Sequence, residues 1–113
     1  IQKGLGEKSE VVEICYGENK NMAEIIPLDS FKEFSSPLGL IKLDTEGFET
    51  AIFKGALELI KRDKPVLAIA MYHTPEDFFD LKSKIENLNL GYKFMIRRSE
   101  NILPQADLVL IAY

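Results

Sequence analysis

With 113 residues, the chain has room for one small domain and not two, and its 46% hydrophobic, 28% charged composition is globular rather than disordered. A net charge of −4 and no basic run longer than Arg97-Arg98 leave no footprint for nucleic acid. No apolar run approaches the length of a membrane span.

Residues 11–16 (VVEICY) are rich in β-formers, and the polar stretch 17–21 separates them from a second strand over 23–28, so the two read as a loosely turned hairpin. Asp29-Ser30 then offers a cap for a short helix that ends before Pro37. Cys15, the single cysteine, cannot form an internal disulfide, reads as a small core hydrophobe, and makes a reduced, cytoplasmic compartment the default. The chain opens at Ile1 without a methionine, as expected of a piece of a longer protein.

The pattern sharpens from Leu38. A short strand over 38–43 stops at Asp44, and Gly47 provides an unusual turn. Over 49–62 the apolar residues Ile52, Ala56, Leu59 and Ile60 share one face of a helix, whose last turn carries Lys61 and Arg62 where cations complement the helix dipole. Gly55 within it is expected to permit close packing. Pro65 ends the helix, and the continuous apolar run 66–71 reads as a strand covered on both faces.

Thr74-Pro75-Glu76-Asp77 joins a Thr cap, Pro at the first helical position and first-turn acids, which predicts a helix start. Phe78, Leu81, Ile85 and Leu88 continue at helical spacing until Asn89 to Gly91. Two strands, 92–96 and Leu108–Ala112, close the chain around a polar loop with Pro104. Phe78, Phe79, Tyr92 and Phe94 read as core or rim aromatics. No linker divides the chain; residues 1–37 form a hairpin and connecting segment, and 38–113 a strand-helix-strand-helix-strand-strand core. The expectation is an α/β fold with a mainly parallel sheet, helices on both faces and an antiparallel last strand.

Open parallel sheets bind ligands beyond the carboxyl ends of their strands. Asp44 and His73 stand at two such ends, and Glu46 lies on the turn after the first. A right-handed crossover often makes the two strands neighbours, which would bring the three residues to one crevice. His73 precedes a helix N-terminus, whose field favours neutral imidazole, while Asp44 favours the charged form; such a histidine can act as a base near neutral pH. The plainer alternatives are that Asp44 and Glu46 cap the following helix, that His73 only fixes the turn, and that Glu49 is an exposed first-turn acid.

Ile41-Lys42-Leu43-Asp44-Thr45-Glu46-Gly47-Phe48-Glu49 resembles the I-K-x-D-x-E-G-x-E signature of FkbM-type methyltransferases, and Phe53-Lys54-Gly55-Ala56 resembles the family's L-x-G-A helix with Phe for Leu. Leu28-Asp29, Lys64-Pro65-Val66, Tyr72-His73 and Gly91-Tyr92 also resemble family members, in the right order, and the likeness is strongest over 27–92. The resemblance implies the C-terminal half of a Rossmann-like class I fold that moves a methyl group from S-adenosylmethionine to a small-molecule acceptor, commonly a hydroxyl of a sugar or related metabolite. It places Asp44 near the transferred methyl, as a catalytic and cofactor-contacting residue, followed by His73 and Glu46 as catalytic candidates. The remaining cofactor contacts are expected outside this chain, because Gly4-Leu5-Gly6 follows no visible strand and does not fit a nucleoside loop. No metal is assigned on this reading.

Two other classes remain open. Asp44, Glu46 and His73 could hold a divalent metal in a hydrolase or phosphotransferase, although no paired His or Cys spacing supports it. A non-catalytic interaction domain is the other, since a sheet edge left open recruits another chain and favours a homo-oligomer.

Overall fold

A computed structural model describes residues 3–17, 19–31, 36–98 and 108–113 of an α/β protein. In chain order come β1 (Gly4–Leu5), β2 (Glu10–Tyr16), β3 (Asn19–Ile26), a 3-10 turn at Leu28–Ser30, β4 (Leu40–Leu43), α1 (Glu49–Lys54), α2 (Leu57–Asp63), β5 (Val66–Ala70), α3 (Pro75–Glu86), β6 (Phe94–Arg98) and β7 (Leu108–Ala112). The loop with Pro104 lies outside the described residues.

The expected hairpin forms with a tighter connection than its polar residues suggest. β2 and β3 pair from Glu10↔Ile25 to Tyr16↔Asn19, so residues 19–21 belong to a strand and not to a loop. Gly17 takes φ 61°, as a two-residue hairpin turn demands of its first residue. β1 adds in parallel to β3 to complete a three-stranded sheet. Cys15 is exposed on this hairpin rather than buried as a small hydrophobe.

The second sheet has the order β4-β5-β7-β6. β4 and β5 are parallel neighbours, in register from Leu40↔Val66 to Leu43↔Ile69, and α1 and α2 supply the crossover. β7 runs antiparallel to both β5 and β6. The last strand is therefore reversed as expected, but because it is inserted between two others the sheet is mixed rather than mainly parallel.

Among the described residues, helices cover one face of this sheet, not two. Ile41, Leu43, Leu67, Ile69, Leu110 and Ala112 point to the same side by strand register and join one core with Ile52, Phe53 and Ile60 of the first two helices and Leu81 and Ile85 of α3. Each fully buried Leu or Ile contributes about 1.5–3 kcal/mol. On the other face Leu40, Val66, Met95 and Tyr113 are exposed. The apolar run 66–71 therefore has one covered face among the described residues, because Val66 and Ala68 alternate with buried Leu67 and Ile69.

The single helix expected over 49–62 is two. At Gly55 the backbone leaves helical bonding, and the Gly55 carbonyl accepts from the Asp29 N–H at 2.9 Å. A side chain on Gly55 would overlap the Gly6 carbonyl oxygen and crowd the Pro27 Cα, so glycine permits the three-stranded sheet to close on the helix. Asp29 then caps the second helix across the chain: its two carboxylate oxygens accept from the N–H groups of Glu58 and Leu59, both at 2.9 Å. The short helix expected between Asp29-Ser30 and Pro37 falls largely on residues 32–35, outside the described residues; the turn at Leu28–Ser30 aims Asp29 at α2, whose own N-cap, Ala56, has no side-chain acceptor.

Candidate functional site

Parallel pairing of β4 and β5 puts their carboxyl ends side by side, and the residues that follow each strand meet there. Asp44 Oδ1 lies 3.7 Å and Glu46 Oε2 3.6 Å from His73 Nε2. The convergence expected from topology is present in the geometry. Glu46 adopts φ 55° and Gly47 φ 101°, so the chain reverses sharply between the strand and α1. A left-handed glutamate costs about 1–3 kcal/mol and persists where its surroundings hold it.

What holds the turn is Glu49, the residue expected to be an exposed first-turn acid. It is 0% exposed, and its carboxylate accepts from the N–H of Thr45 at 2.6 Å and of Gly47 at 2.9 Å. The capping role considered for Asp44 and Glu46 thus falls to a different acid. Glu49 Oε1 also lies 2.7 Å from His73 Nδ1. Burial works to raise the Glu49 pKa, but the backbone N–H groups of Thr45 and of Glu49 itself, together with His73, win and hold it below the usual carboxylate range. Glu49 is therefore ionised and accepts from the His73 Nδ1–H. The sequence signal for Glu49 was its place as the last acid of the Glu46-Gly47-Phe48-Glu49 run.

His73 is fixed from the other side as well. Its side chain is 7% exposed, and the Tyr72 ring lies against it with centroids 4.1 Å apart. The Tyr72 hydroxyl donates to Asp44 Oδ1 at 3.3 Å. Immediately after it, Thr74 caps α3 as its sequence predicts, accepting from the Asp77 N–H at 3.1 Å with Pro75 at the first helical position. Asp77, itself buried, accepts from Thr50 Oγ1 at 2.8 Å and Thr74 Oγ1 at 2.6 Å, which ties α1 to α3 behind the imidazole. Two side-chain atoms among the described residues are buried without a hydrogen-bond partner: Thr45 Oγ1 and His73 Nε2.

Two cavities border this cluster. An open pocket of about 480 Å³ is lined by Tyr72, His73, Thr74, Phe78 and Phe79, and the two phenylalanines, edge to face at 5.0 Å, are exposed rather than core. A larger groove of about 720 Å³ runs between the three-stranded sheet and α1 and reaches Thr45 and Phe48. Gly4 and Gly6 line it, yet Gly4-Leu5 is a strand beside β3, not a turn from strand to helix.

These features define an α/β protein with a carboxylate–imidazole cluster at the carboxyl ends of adjacent parallel strands. Residues 18–94, more than half of the chain, match the model of the methyltransferase FkbM domain, and the chain belongs to that family. It is similar to the crystal structure of a methyltransferase FkbM from Methylobacillus flagellatus KT, with a TM-score of 0.78 and 28% identity over 98% of this chain. The chain spans 27% of that protein's length. No curated protein matches it. Among the described residues no helix is long and apolar enough to cross a membrane.

Proposed function

We propose that the protein carrying this chain transfers a methyl group from S-adenosylmethionine to a hydroxyl of a sugar or related small molecule. The observation that carries the reading is the meeting of Asp44, Glu46 and His73 at adjacent strand ends in a chain of the FkbM family. Of the three classes open to the sequence, family membership supports methyl transfer over a metal-dependent hydrolase and over a non-catalytic interaction domain.

The fold detail in this proposal is that the chain is the C-terminal half of a Rossmann-like sheet. In its support, β4, β5 and β6 run one way and β7 the other. The residues described here suit only one end of the cofactor. Asp44 and Glu46 offer carboxylates to a positive sulfonium, whereas Gly4 and Gly6 form no cradle for a nucleoside. Most cofactor contacts then come from other parts of the protein, and this chain alone binds S-adenosylmethionine weakly. When bound, the sulfonium supplies an electrophilic methyl.

The chain's own residues act on the acceptor. Aromatic walls at Tyr72, Phe78 and Phe79 seat it beside the imidazole, where sugar C–H groups or an apolar face can pack. His73 Nε2, with Nδ1 held by Glu49, faces the crevice as a base for the acceptor hydroxyl, and Asp44 orients that hydroxyl and stabilises the imidazolium that forms. Cytoplasmic location and self-association through the open sheet edge belong to the same proposal; the exposed Leu40 on the edge strand β4 supports the second.

The test is turnover of the full-length protein with S-adenosylmethionine and a panel of sugar acceptors, read as release of S-adenosylhomocysteine. Asp44→Asn and Asp44→Ala are expected to lower turnover by about 100-fold or more while cofactor binding to the full-length protein survives. Undiminished turnover in both variants would remove Asp44 from the chemistry.

A further inference from the structure

Glu46 holds a left-handed conformation, φ 55°, that favours glycine or asparagine, yet its side chain is 89% exposed and adds nothing to the core. Its charged partner among the described residues is His73, whose Nε2 lies 3.6 Å from Oε2, too far for a hydrogen bond. A strained, exposed side chain that the fold does not use points to use by a ligand.

His73 is incomplete in the same place. Its side chain is 7% exposed, it lines the pocket shared with Tyr72, Phe78 and Phe79, and its Nε2 is buried without a hydrogen-bond partner. A hydroxyl completes that nitrogen in either protonation state, because a hydroxyl both donates and accepts. The local charge is unbalanced in either state too. Asp44, Glu46 and Glu49 bring three carboxylates, and the imidazole brings at most one positive charge. The lysines and arginines that form ion pairs among the described residues pair with other acids. One sulfonium opposite Asp44 still leaves a negative charge at Glu46.

We infer that Glu46 is a specificity residue that binds a protonated amine of the acceptor, and that the acceptor is an amino sugar with a hydroxyl on the carbon beside the ammonium. The hydroxyl meets His73 Nε2 and the ammonium meets the Glu46 carboxylate, groups close enough for neighbouring carbons of one ring to serve both. The apolar face of the ring packs on Phe78 and Phe79, which stand edge to face in the same pocket. Glu49 is spent on Thr45, Gly47 and the imidazole, so the task does not fall to it. Calling the ligand an acceptor rests on the methyl-transfer reading; the binding itself does not.

The experiment is saturation-transfer NMR of the full-length protein with glucosamine, N-acetylglucosamine and glucose, below the pKa of the amine and without S-adenosylmethionine. Glucosamine is expected to bind about fivefold or more tighter than the two neutral sugars. Glu46→Gln and Glu46→Asn should each abolish that preference, and the asparagine variant relieves the left-handed strain rather than adding to it. Phe79→Ala should weaken all three sugars alike, which places them in this pocket. Equal affinity for the three sugars, or a glucosamine preference that survives both Glu46 variants, would overturn the inference. Turnover then separates the two readings. Glucosamine binding without methyl transfer to any acceptor removes the methyl-transfer reading and keeps the amine site, whereas transfer to neutral sugars and not to glucosamine does the reverse.

Discussion

Glu49 and His73, 24 residues apart, share a hydrogen bond of 2.7 Å between a carboxylate that solvent does not reach and the imidazole Nδ1. This contact fixes the ring of the chain's single histidine and turns Nε2 toward Asp44 and Glu46. Glu49→Gln preserves shape but presents an amide N–H₂ to groups that are all donors. The expected result is a loss of about 1–3 kcal/mol in urea unfolding of the chain. In the full-length protein, methyl transfer should fall about 10- to 100-fold. Wild-type stability with full activity would show that the contact carries neither role.

Gly55→Ala isolates the close approach of the three-stranded sheet to the helical crossover. Helix propensity alone would favour alanine by about 1 kcal/mol, and φ −75° at this position imposes no strain. The added methyl, however, meets the backbone of Gly6 and Pro27, which cannot rotate away. Overpacking is expected to win, with a net loss of about 1–3 kcal/mol in urea unfolding. A stabilised variant would mean that β1 moves aside at little cost.

Asp63 contributes to the acid limit of stability. The Arg62 guanidinium beside it, and then the backbone N–H of Leu38, hold its pKa at about 2, below the ordinary 3.8. A folded-state pKa that is depressed contributes stability present in full above the unfolded value and lost as pH falls through the folded one. The loss attributable to Asp63 should therefore fall between pH 3.8 and about 2. Asp63→Asn is expected to flatten that part of a plot of urea midpoint against pH and to leave the slope above pH 5 (roughly) unchanged. An unaltered acid limb would show that pairing with Arg62 and Leu38 adds no stability in solution.

Asp77 joins the two helices behind the site by accepting from Thr50 and Thr74. Asp77→Ala leaves both hydroxyls without that acceptor and opens a void, and should cost about 1–3 kcal/mol. Thr74→Ala removes the cap and should cost about 1 kcal/mol. Because the two residues share a hydrogen bond, the double variant should lose less than the sum. Additive losses would place them in separate networks.

Local chemistry made much of this protein legible from its residues. Thr74-Pro75 announces the start of α3 through its own cap, and the short apolar runs before Asp44 and after Pro65 find β4 and β5, because these signals act within a few residues. The strand-end positions of Asp44 and His73 follow from the same order of elements, and the run from Ile41 to Glu49 carries the family. What remained hidden depends on groups far apart in the chain. Helical spacing over 49–62 cannot show a break whose cause is the backbone of Gly6 and Pro27, nor that Asp29 caps a helix that begins 28 residues later. Helices on one sheet face rather than two, and β7 inserted between β5 and β6, are likewise choices of packing. An acid in the first turn of a helix has the same local reading whether it meets water or a histidine. Only the tertiary structure, by pairing β4 with β5, buried Glu49 against His73 and gave the cluster its polarity.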